Sequence, residues 1–435
     1  MMSNNIVEKT TNKPSTLDLV NKNLKKRYRA EKRFRAYGIA AIIFGLSCLL
    51  LLFTDIISKG HTAFLQTYVY LEVDYDAERL EISDVQDGNQ LAAANYTGII
   101  RASLLKQFSD VKSRSDKRSL YSLISNGAGF TLRQKLEDDP SLLNQTVGVW
   151  LLADDDFDTY YKSRSDEDAF TGRMKDKQIA WVDTLIANEQ IEKRFNTTFF
   201  TSGDSREPEQ AGIFGAMMGS LFTLLVCIAL SFPVGIAAAV YLEEYAPKNR
   251  FTDFIEVNIN NLAAVPSIIF GLLGLAIFIG YFEMHRSLPL VGGLVLTLMT
   301  LPTIIISSRA AIKSVPPSIR DAALGLGASK MQVVLHHVLP LAMPGMLTGA
   351  IIGFAQALGE TAPLLMIGMV AFIVDIPGGV TDPATALPVQ IFLWSDSPER
   401  AFVERTSAAI MVLLAFLISM NTLAIWLRKR LERRW

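Results

Sequence analysis

Residues 316–332 read PPSIRDAALGLGASKMQ and stand between two long apolar stretches. The two leading prolines cannot continue a preceding helix. Ser318 and Asp321 then follow at the spacing of a capping box, in which each side chain bonds the other residue's backbone N–H. The stretch therefore predicts a short helix that begins at the prolines.

A second helix is predicted directly after the first. Gly325 and Gly327 interrupt the first helix, and Ser329 with Gln332 repeats the capping spacing. We expect the pair of helices to end near Pro340. Two short helices held rigidly by a glycine bend are suited to docking into a groove of a partner protein.

The apolar stretches on either side predict an all-α membrane bundle. The chain of 435 residues is 50% hydrophobic and only 20% charged, against about 25% charged in soluble domains. A helix needs about 20 apolar residues to cross a bilayer. Six stretches qualify as transmembrane helices: Tyr37–Ile57, Ile213–Leu242, Leu262–Phe282, Pro289–Ser308, Pro344–Val374 and Thr406–Leu427.

Basic residues near the spans predict the orientation. Residues 22–35 hold eight lysines and arginines with one acid, and residues 428–434 are also basic. Because such residues favour the cytoplasmic side, both termini are expected there. The chain then divides into a basic cytoplasmic tail over 1–36, a first span over 37–57 that is retained as an anchor, and an external domain over 58–211.

The external domain is predicted to be α+β. Its stretch Thr67–Val73 alternates as a strand does, and Trp181–Phe195 has the pattern of a helix. Acid runs at 154–156 and 166–168 are interpreted as solvated surface. Because they lack the ligand spacing and turn glycine of a calcium loop, no metal site is expected.

Several functional classes are excluded. Two cysteines and four histidines offer neither a disulfide framework nor metal-ligand spacing. No catalytic constellation is found. No Gly-x-x-x-x-Gly-Lys-Ser/Thr phosphate loop occurs, so the chain is not expected to hydrolyse ATP by that route. No cofactor and no nucleic-acid partner are expected.

The loop resembles the coupling motif of ABC importer permeases. The matching positions are Asp321, Ala322, Ala323, Gly327, Leu339 and Pro340. Asp321 stands in place of the family's glutamate, and His337 stands in place of an isoleucine. The resemblance implies that residues 309–343 form a coupling loop that seats in an ATPase subunit.

Longer strings narrow the resemblance to phosphate-specific permeases of the PstA type. They are YLEEYA at 241–246, NINNLAAVPSIIFGLL at 258–273 and GETAPLL at 359–365. The family implies a type I ABC importer permease core over 212–435, with transmembrane helices 2–6. The first span and external domain resemble an N-terminal extension found in part of that family.

Glu360 is the charged residue expected inside span five. Because a carboxylate there is costly, it should face a pathway or a partner. With Gln356, one turn earlier, and Thr361 it is predicted to line the translocation path or to pair with an arginine of the partner permease. Two roles are open for Arg309: it offers a positive charge to the transported anion, or it anchors the end of span four at the membrane boundary. Gly345, Gly349 and Gly353 predict close helix contact.

Together these features predict the permease subunit of an ATP-driven phosphate importer in the bacterial inner membrane. The implied partners are a second permease subunit, two ABC ATPase subunits that use ATP and Mg, an external phosphate-binding protein and the lipid bilayer. Two alternatives stay open: a permease for another oxyanion such as sulfate or molybdate, and a membrane sensor with an external ligand-binding domain.

Overall fold

A computed structural model describes residues 16–164 and 174–431. The helices before the second span are α1 Thr16–Gly60, α2 Ala77–Leu80, α3 Gly88–Ala93, α4 Tyr96–Gln107, α5 Arg114–Tyr121, α6 Ala128–Asp138, α7 Asp155–Ser163, α8 Asp176–Ala187 and α9 Thr197–Thr201. The strands are β1 Leu65–Asp74, β2 Thr146–Leu152 and β3 Ile191–Phe195.

The remaining helices belong to the membrane part. They are α10 Phe214–Val240, α11 Arg250–Ala263, α12 Ser267–Gly274, α13 Pro289–Lys313, α14 Pro317–Gly325, α15 Lys330–Gln332, α16 Leu339–Gly359, α17 Ala362–Met366, α18 Leu387–Ser395 and α19 Ala401–Leu431. π-Helical segments follow α10, α12 and α15, at Tyr241–Tyr245, Leu275–Tyr281 and Val333–Val338.

Helix α1 contains the first predicted span. Its apolar side chains are almost all exposed, for example Phe44 and Leu51. A helix that is apolar on every side is stable in lipid, where its backbone groups bond within the helix. The basic residues of the predicted tail at 22–35 lie in the same continuous helix.

The segment between α1 and α10, residues 61–213, is the inserted domain. Its sheet has the order β2-β1-β3, and both pairings are antiparallel. Strand β1 covers the predicted strand, and Val69, Leu71 and Val73 face a core closed by helices α4 and α6. The period-two alternation places these residues on one face of the sheet.

Two expectations for this domain are wrong. The helix predicted over Trp181–Phe195 ends at Ala187, and residues 191–195 form β3 against β1. Glu189, with a φ of 56°, makes the turn between them. The acid run at 154–156 is half-buried at the start of α7 rather than solvated. The run at 166–168 lies outside the described residues.

Asp154 supplies a pH-dependent test of this domain. It caps α7 by accepting from the Asp156 N–H, and burial with repulsion from Asp155 and Glu209 raises its pKa from 3.8 to about 9. The folded carboxyl therefore keeps a proton that the unfolded one releases, and stability falls as pH rises between these values. Asp154→Asn removes that fall, and we expect a gain on the order of 2–4 kcal/mol at pH 7.

Thermal unfolding of the full chain in detergent, followed by tryptophan fluorescence at pH 5 and pH 8, measures this effect. The gain should be larger at pH 8. Asp87→Asn is the matched control, because Asp87 caps α3 in the same way. Equal shifts for the two variants at both pH values would contradict the assignment.

Over residues 16–164 and 174–431, five helices are long and apolar enough to cross a membrane, or six if the bent pair α11–α12 counts as one span. The third span was predicted as one helix over Leu262–Phe282. Instead the chain bends by 101° between Ala263 and Ser267. Pro266 lies at this bend, since proline disfavours helical geometry in the residue before it. Helix α11 lies almost entirely before the predicted span.

The fifth span also differs from its prediction. Helix α16 begins at Leu339 and ends at Gly359, whereas the sequence predicted Pro344–Val374. A short helix, α17, follows, and residues 370–386 contain no helix. The coupling loop is shorter than the predicted 309–343, because α13 continues to Lys313 and the continuous helical stretch that leads into span five begins at Lys330.

Helix α13 lies at the centre of the bundle and packs against α10 and α16. The glycine strip of α16 makes the close helix contact that was predicted, and the helix it contacts is α13. A Cβ atom on Gly345 would lie 2.7 Å from the Ala311 Cβ, and one on Gly349 would overlap the Ser307 side chain. The small residues therefore let the two backbones approach closely.

Candidate coupling and translocation sites

The packing of α14 explains why the coupling motif has an alanine at 323 and a glycine at 327. Ala323 is 5% exposed and packs in a cluster with Ile312, Val333 and Val338, where a larger side chain would push the helix away. Gly327 has a φ of 86°, a left-handed conformation typical of the glycine that ends a helix. The motif's alanine and glycine thus fix the position of α14.

One of the two predicted capping boxes forms. The Ser329 N–H donates to the Gln332 Oε1 at 2.8 Å, and the Gln332 N–H donates to the Ser329 Oγ at 3.4 Å. Ser318 and Asp321 make no such pair, because α14 starts at Pro317 and Ser318 is its second residue rather than its N-cap. Proline suits that position since its missing N–H would have no helical partner.

The helix pair does not end near Pro340. The chain continues from α15 through the π-helical Val333–Val338 into α16, with Pro340 in its first turn. A widened turn before a proline re-routes backbone bonds around the missing donor. Leu339 is half-buried against the cluster that holds α14. These two motif positions thus join the coupling helices directly to span five.

The tip of the loop is exposed. Asp321 and Ala322 face outward, and Leu326 is 91% exposed with Met331 at 57%. Apolar side chains projecting beside a carboxylate on a short rigid helix are typical of a docking surface. This coupling tip, residues 321–331, brings together four of the six predicted coupling residues.

Arg320 ties the tip to the bundle. Its guanidinium donates to Glu244 Oε1 at 2.8 Å and to the carbonyl oxygens of Val315 and Ile312 at 2.7 and 3.0 Å. Glu244 lies in the π-helical turn that ends the second span. One arginine therefore connects α14, the end of α13 and the end of the second span.

Arg309 forms a second connection. It is 8% exposed and bonds Glu243 Oε1 and Glu256 Oε1, both at 2.5 Å. Lys313 lies 3.3 Å from the same Glu243 oxygen. Because two carboxylates hold Arg309, the suggestion that it offers a free charge to an anion is wrong. Arg309 instead joins α13 to α11 and to the end of the second span.

Glu243, Glu244, Glu256 and Arg320 were not identified as functional from the sequence. A signal was available: two adjacent glutamates directly follow an apolar span, while Arg309, Lys313 and Arg320 follow a later one. Charges at the ends of neighbouring spans on the same side of a bundle can meet. We call this group, with Arg309 and Lys313, the cytoplasmic charge cluster.

Glu360 lies just past the end of α16, with an extended backbone, and not inside a helix. It therefore does not share a helical face with Gln356 as predicted. Glu360 and Thr361 are half-buried, and Gln356 is exposed. Within the residues that the structure describes, the Glu360 side chain forms no hydrogen bond or ion pair. Pro363 and Met366, just beyond, pack on Gly271 of α12.

Comparison with known proteins gives two family matches. Residues 231–435 match the binding-protein-dependent transport system inner membrane component family, and residues 21–170 match a domain of unknown function, DUF3333. The fold and the coupling motif therefore define an inner-membrane permease of the ABC transporter class.

Individual relatives narrow this class. The phosphate transport system permease protein PstA 1 of Mycobacterium tuberculosis is 30% identical over 229 residues, which cover 52% of this chain and 74% of the relative. The chain belongs to the phosphate transport system permease PstA family. The probable ABC transporter permease protein YqgI of Bacillus subtilis is 34% identical over 167 residues, 38% of this chain and 56% of that relative.

Among solved structures, a chain of the MetNI methionine ABC transporter is 17% identical and superposes with a TM-score of 0.41 over 51% of this chain and 98% of its own. The PstA family, to which this chain belongs, is one of multi-pass inner-membrane transport permeases.

Proposed function

We propose that this chain is the permease subunit of an ATP-driven importer of inorganic phosphate and receives energy through its coupling tip. The observation that carries the proposal is an exposed docking tip bonded through Arg320 to the membrane helices. A rigid connection is needed because a flexible loop would absorb a partner's movement. The PstA family relationship supports phosphate as the substrate.

The complex requires partners that supply what this chain lacks. The coupling tip seats in one of two ABC ATPase subunits, which bind ATP and Mg, so this subunit itself needs no cofactor. A second permease subunit completes the path, and an external phosphate-binding protein delivers the ion. The termini and the coupling tip face the cytoplasm, in agreement with the basic residues at both ends.

The movement of the tip reaches the spans along two contacts. Arg320 connects the tip to the end of α13 and, through Glu244, to the second span. Pro340 lies in the first turn of α16 and connects the tip directly to that helix. When ATP closes the ATPase dimer, these helices rock as a unit and open the path outward. Hydrolysis returns them, and phosphate leaves on the inside.

Gln356, Glu360 and Thr361 lie where α16 stops and are assigned to the path or to its boundary with the second permease. Broken helices at the centre of a transporter offer backbone groups and side chains to a passing ion. Phosphate at neutral pH carries a proton that it can donate to Glu360, whereas sulfate carries none. This difference favours phosphate over sulfate.

Uptake of labelled phosphate tests the proposal. Cells that lack this chain are complemented with wild type, Asp321→Lys or Asp253→Lys, with sulfate as competitor. We expect Asp321→Lys to abolish uptake while the protein still reaches the membrane, because the reversed charge opposes docking. Asp253, exposed in the first turn of α11, is the matched control and should retain uptake.

Competition by sulfate would show that another oxyanion is carried, and an absence of phosphate uptake with wild type would reject phosphate as the substrate. Full uptake with Asp321→Lys would reject the coupling tip. If wild type transports nothing and only the inserted domain responds to a ligand, the chain is a sensor.

A further inference from the structure

The inserted domain contains a basic cavity that the transport cycle does not use. The cavity has a volume of about 490 Å³. Its lining residues are Arg101, Arg114, Lys117, Arg118, Tyr121, Ser122 and Asn126. Four of the seven are cationic and none is acidic.

On α5, the basic residues that line the cavity lie on a different side of the helix from its acidic residue, Asp116. Arg114, Lys117, Arg118 and Tyr121 recur at helical spacing and share one side of α5. Its other side packs on α8, where Asp116 bonds the Lys177 ammonium at 2.8 Å.

Two hydrogen bonds reinforce the packing of α5 on α8. The Gln178 side-chain amide donates to the Ser119 carbonyl at 3.0 Å and to the Ser122 hydroxyl at 3.2 Å. These contacts with α8 hold α5 in place with its basic side toward the cavity.

The cations of the cavity have no carboxylate partners within the described ranges. The guanidinium of Arg101, on α4, stacks over the Tyr121 ring at 5.2 Å, which fixes its position without neutralising its charge. One acid touches the lining: Glu207 accepts from the Asn126 amide at 3.3 Å. One carboxylate does not balance four cations.

We propose that this cavity binds a multiply charged, phosphate-bearing small anion, for which condensed phosphate is the model. Three arginines offer fork-shaped donors that match phosphoryl oxygens, and Lys117 adds a point charge. The cavity is much larger than one phosphate ion, and its four positive charges match a chain of phosphoryl groups. Donors alone cannot distinguish phosphate from sulfate, so selectivity here follows charge.

The site is independent of the proposed transport function. Its test is a binding isotherm for tripolyphosphate, inorganic phosphate and sulfate on the full chain in detergent free of anionic lipid. We expect tripolyphosphate to bind more tightly than the two single ions, which should bind about equally, and affinity to fall with added salt.

Substitutions of cavity arginines test whether tripolyphosphate binds in the cavity. Arg114→Gln and Arg118→Gln should each weaken tripolyphosphate binding by about tenfold or more. Both side chains are exposed, so folding is not at stake. Lys135→Gln removes an exposed charge elsewhere on the same domain and is the matched control. Equal affinity in all four proteins, wild type included, would overturn the proposal.

Two further arms identify the occupant. Nanodiscs with and without phosphatidylglycerol test a lipid headgroup as the source of the phosphoryl group. If tripolyphosphate binding is lost only in the nanodiscs that contain phosphatidylglycerol, the lipid headgroup occupies the cavity. That result would support recognition of a phosphoryl group. Neutralising the acids at 166–168 tests the chain itself. If tripolyphosphate binds only after that change, the chain's own acidic run occupies the cavity and the proposal fails.

Discussion

Arg309→Ala should destabilise the permease by about 3–5 kcal/mol, the usual effect of removing one partner from a buried ion pair. The substitution leaves Glu243, whose side chain is 11% exposed, without its closest counter-charge, and it releases Glu256 from α13. Thermal unfolding of the purified chain in detergent measures the loss, and the amount of folded protein in the membrane should fall with it.

Lys313→Ala is the matched control for Arg309. Lys313 approaches the same Glu243 oxygen, but its side chain is 61% exposed, so its removal should have an effect below about 1 kcal/mol. The double variant Arg309→Ala with Glu243→Gln should regain part of the loss, because it removes the unpaired charge. If Arg309→Ala alone is as stable as wild type, the Arg309–Glu243 pair does not stabilise the fold.

Gly349→Ala should separate α16 from α13 and prevent assembly of the bundle. The added Cβ would overlap both the Oγ and the Cβ of Ser307, so rotating the hydroxyl cannot relieve the clash. Overpacking of this kind costs about 1–3 kcal/mol or more in a rigid core. The measurement is the yield of monodisperse protein together with its unfolding temperature.

Gly353→Ala provides the same substitution one turn along the same strip. Its Cβ would lie 3.7 Å from the Ile304 Cγ1, an ordinary contact, and the variant should resemble wild type. Adding Ser307→Gly to Gly349→Ala removes the opposing atoms and should restore assembly. If Gly349→Ala and Gly353→Ala behave alike, the strip does not set the helix separation.

The elements that the sequence predicted well are those determined by local pattern. Spans one, two, four and six follow from apolar length, and β1 follows from alternation. The Ser329–Gln332 capping box also formed, because its partners are three residues apart. The glycine strip was predictable because its spacing matches a helical face, although the sequence did not show that α13 is its partner.

The failures are at positions where tertiary contacts override local pattern. An apolar stretch of 31 residues over 344–374 resembles one long span, yet hydropathy does not distinguish a helix from apolar chain packed in irregular form. The break after Gly359 therefore could not be predicted. Residues 191–195 paired with β1 although their neighbours are helical. The cytoplasmic charge cluster joins residues more than 50 positions apart, which no local spacing reveals.

The π-helical turn at Val333–Val338 has a consequence for evolution. Such a turn holds one residue more than the α-helical turn it replaces. Losing a single residue there would return it to an α-helix while the flanking helices kept their relative rotation. A deletion of one residue within Val333–Val338 is therefore expected to leave the coupling tip in the same orientation relative to span five.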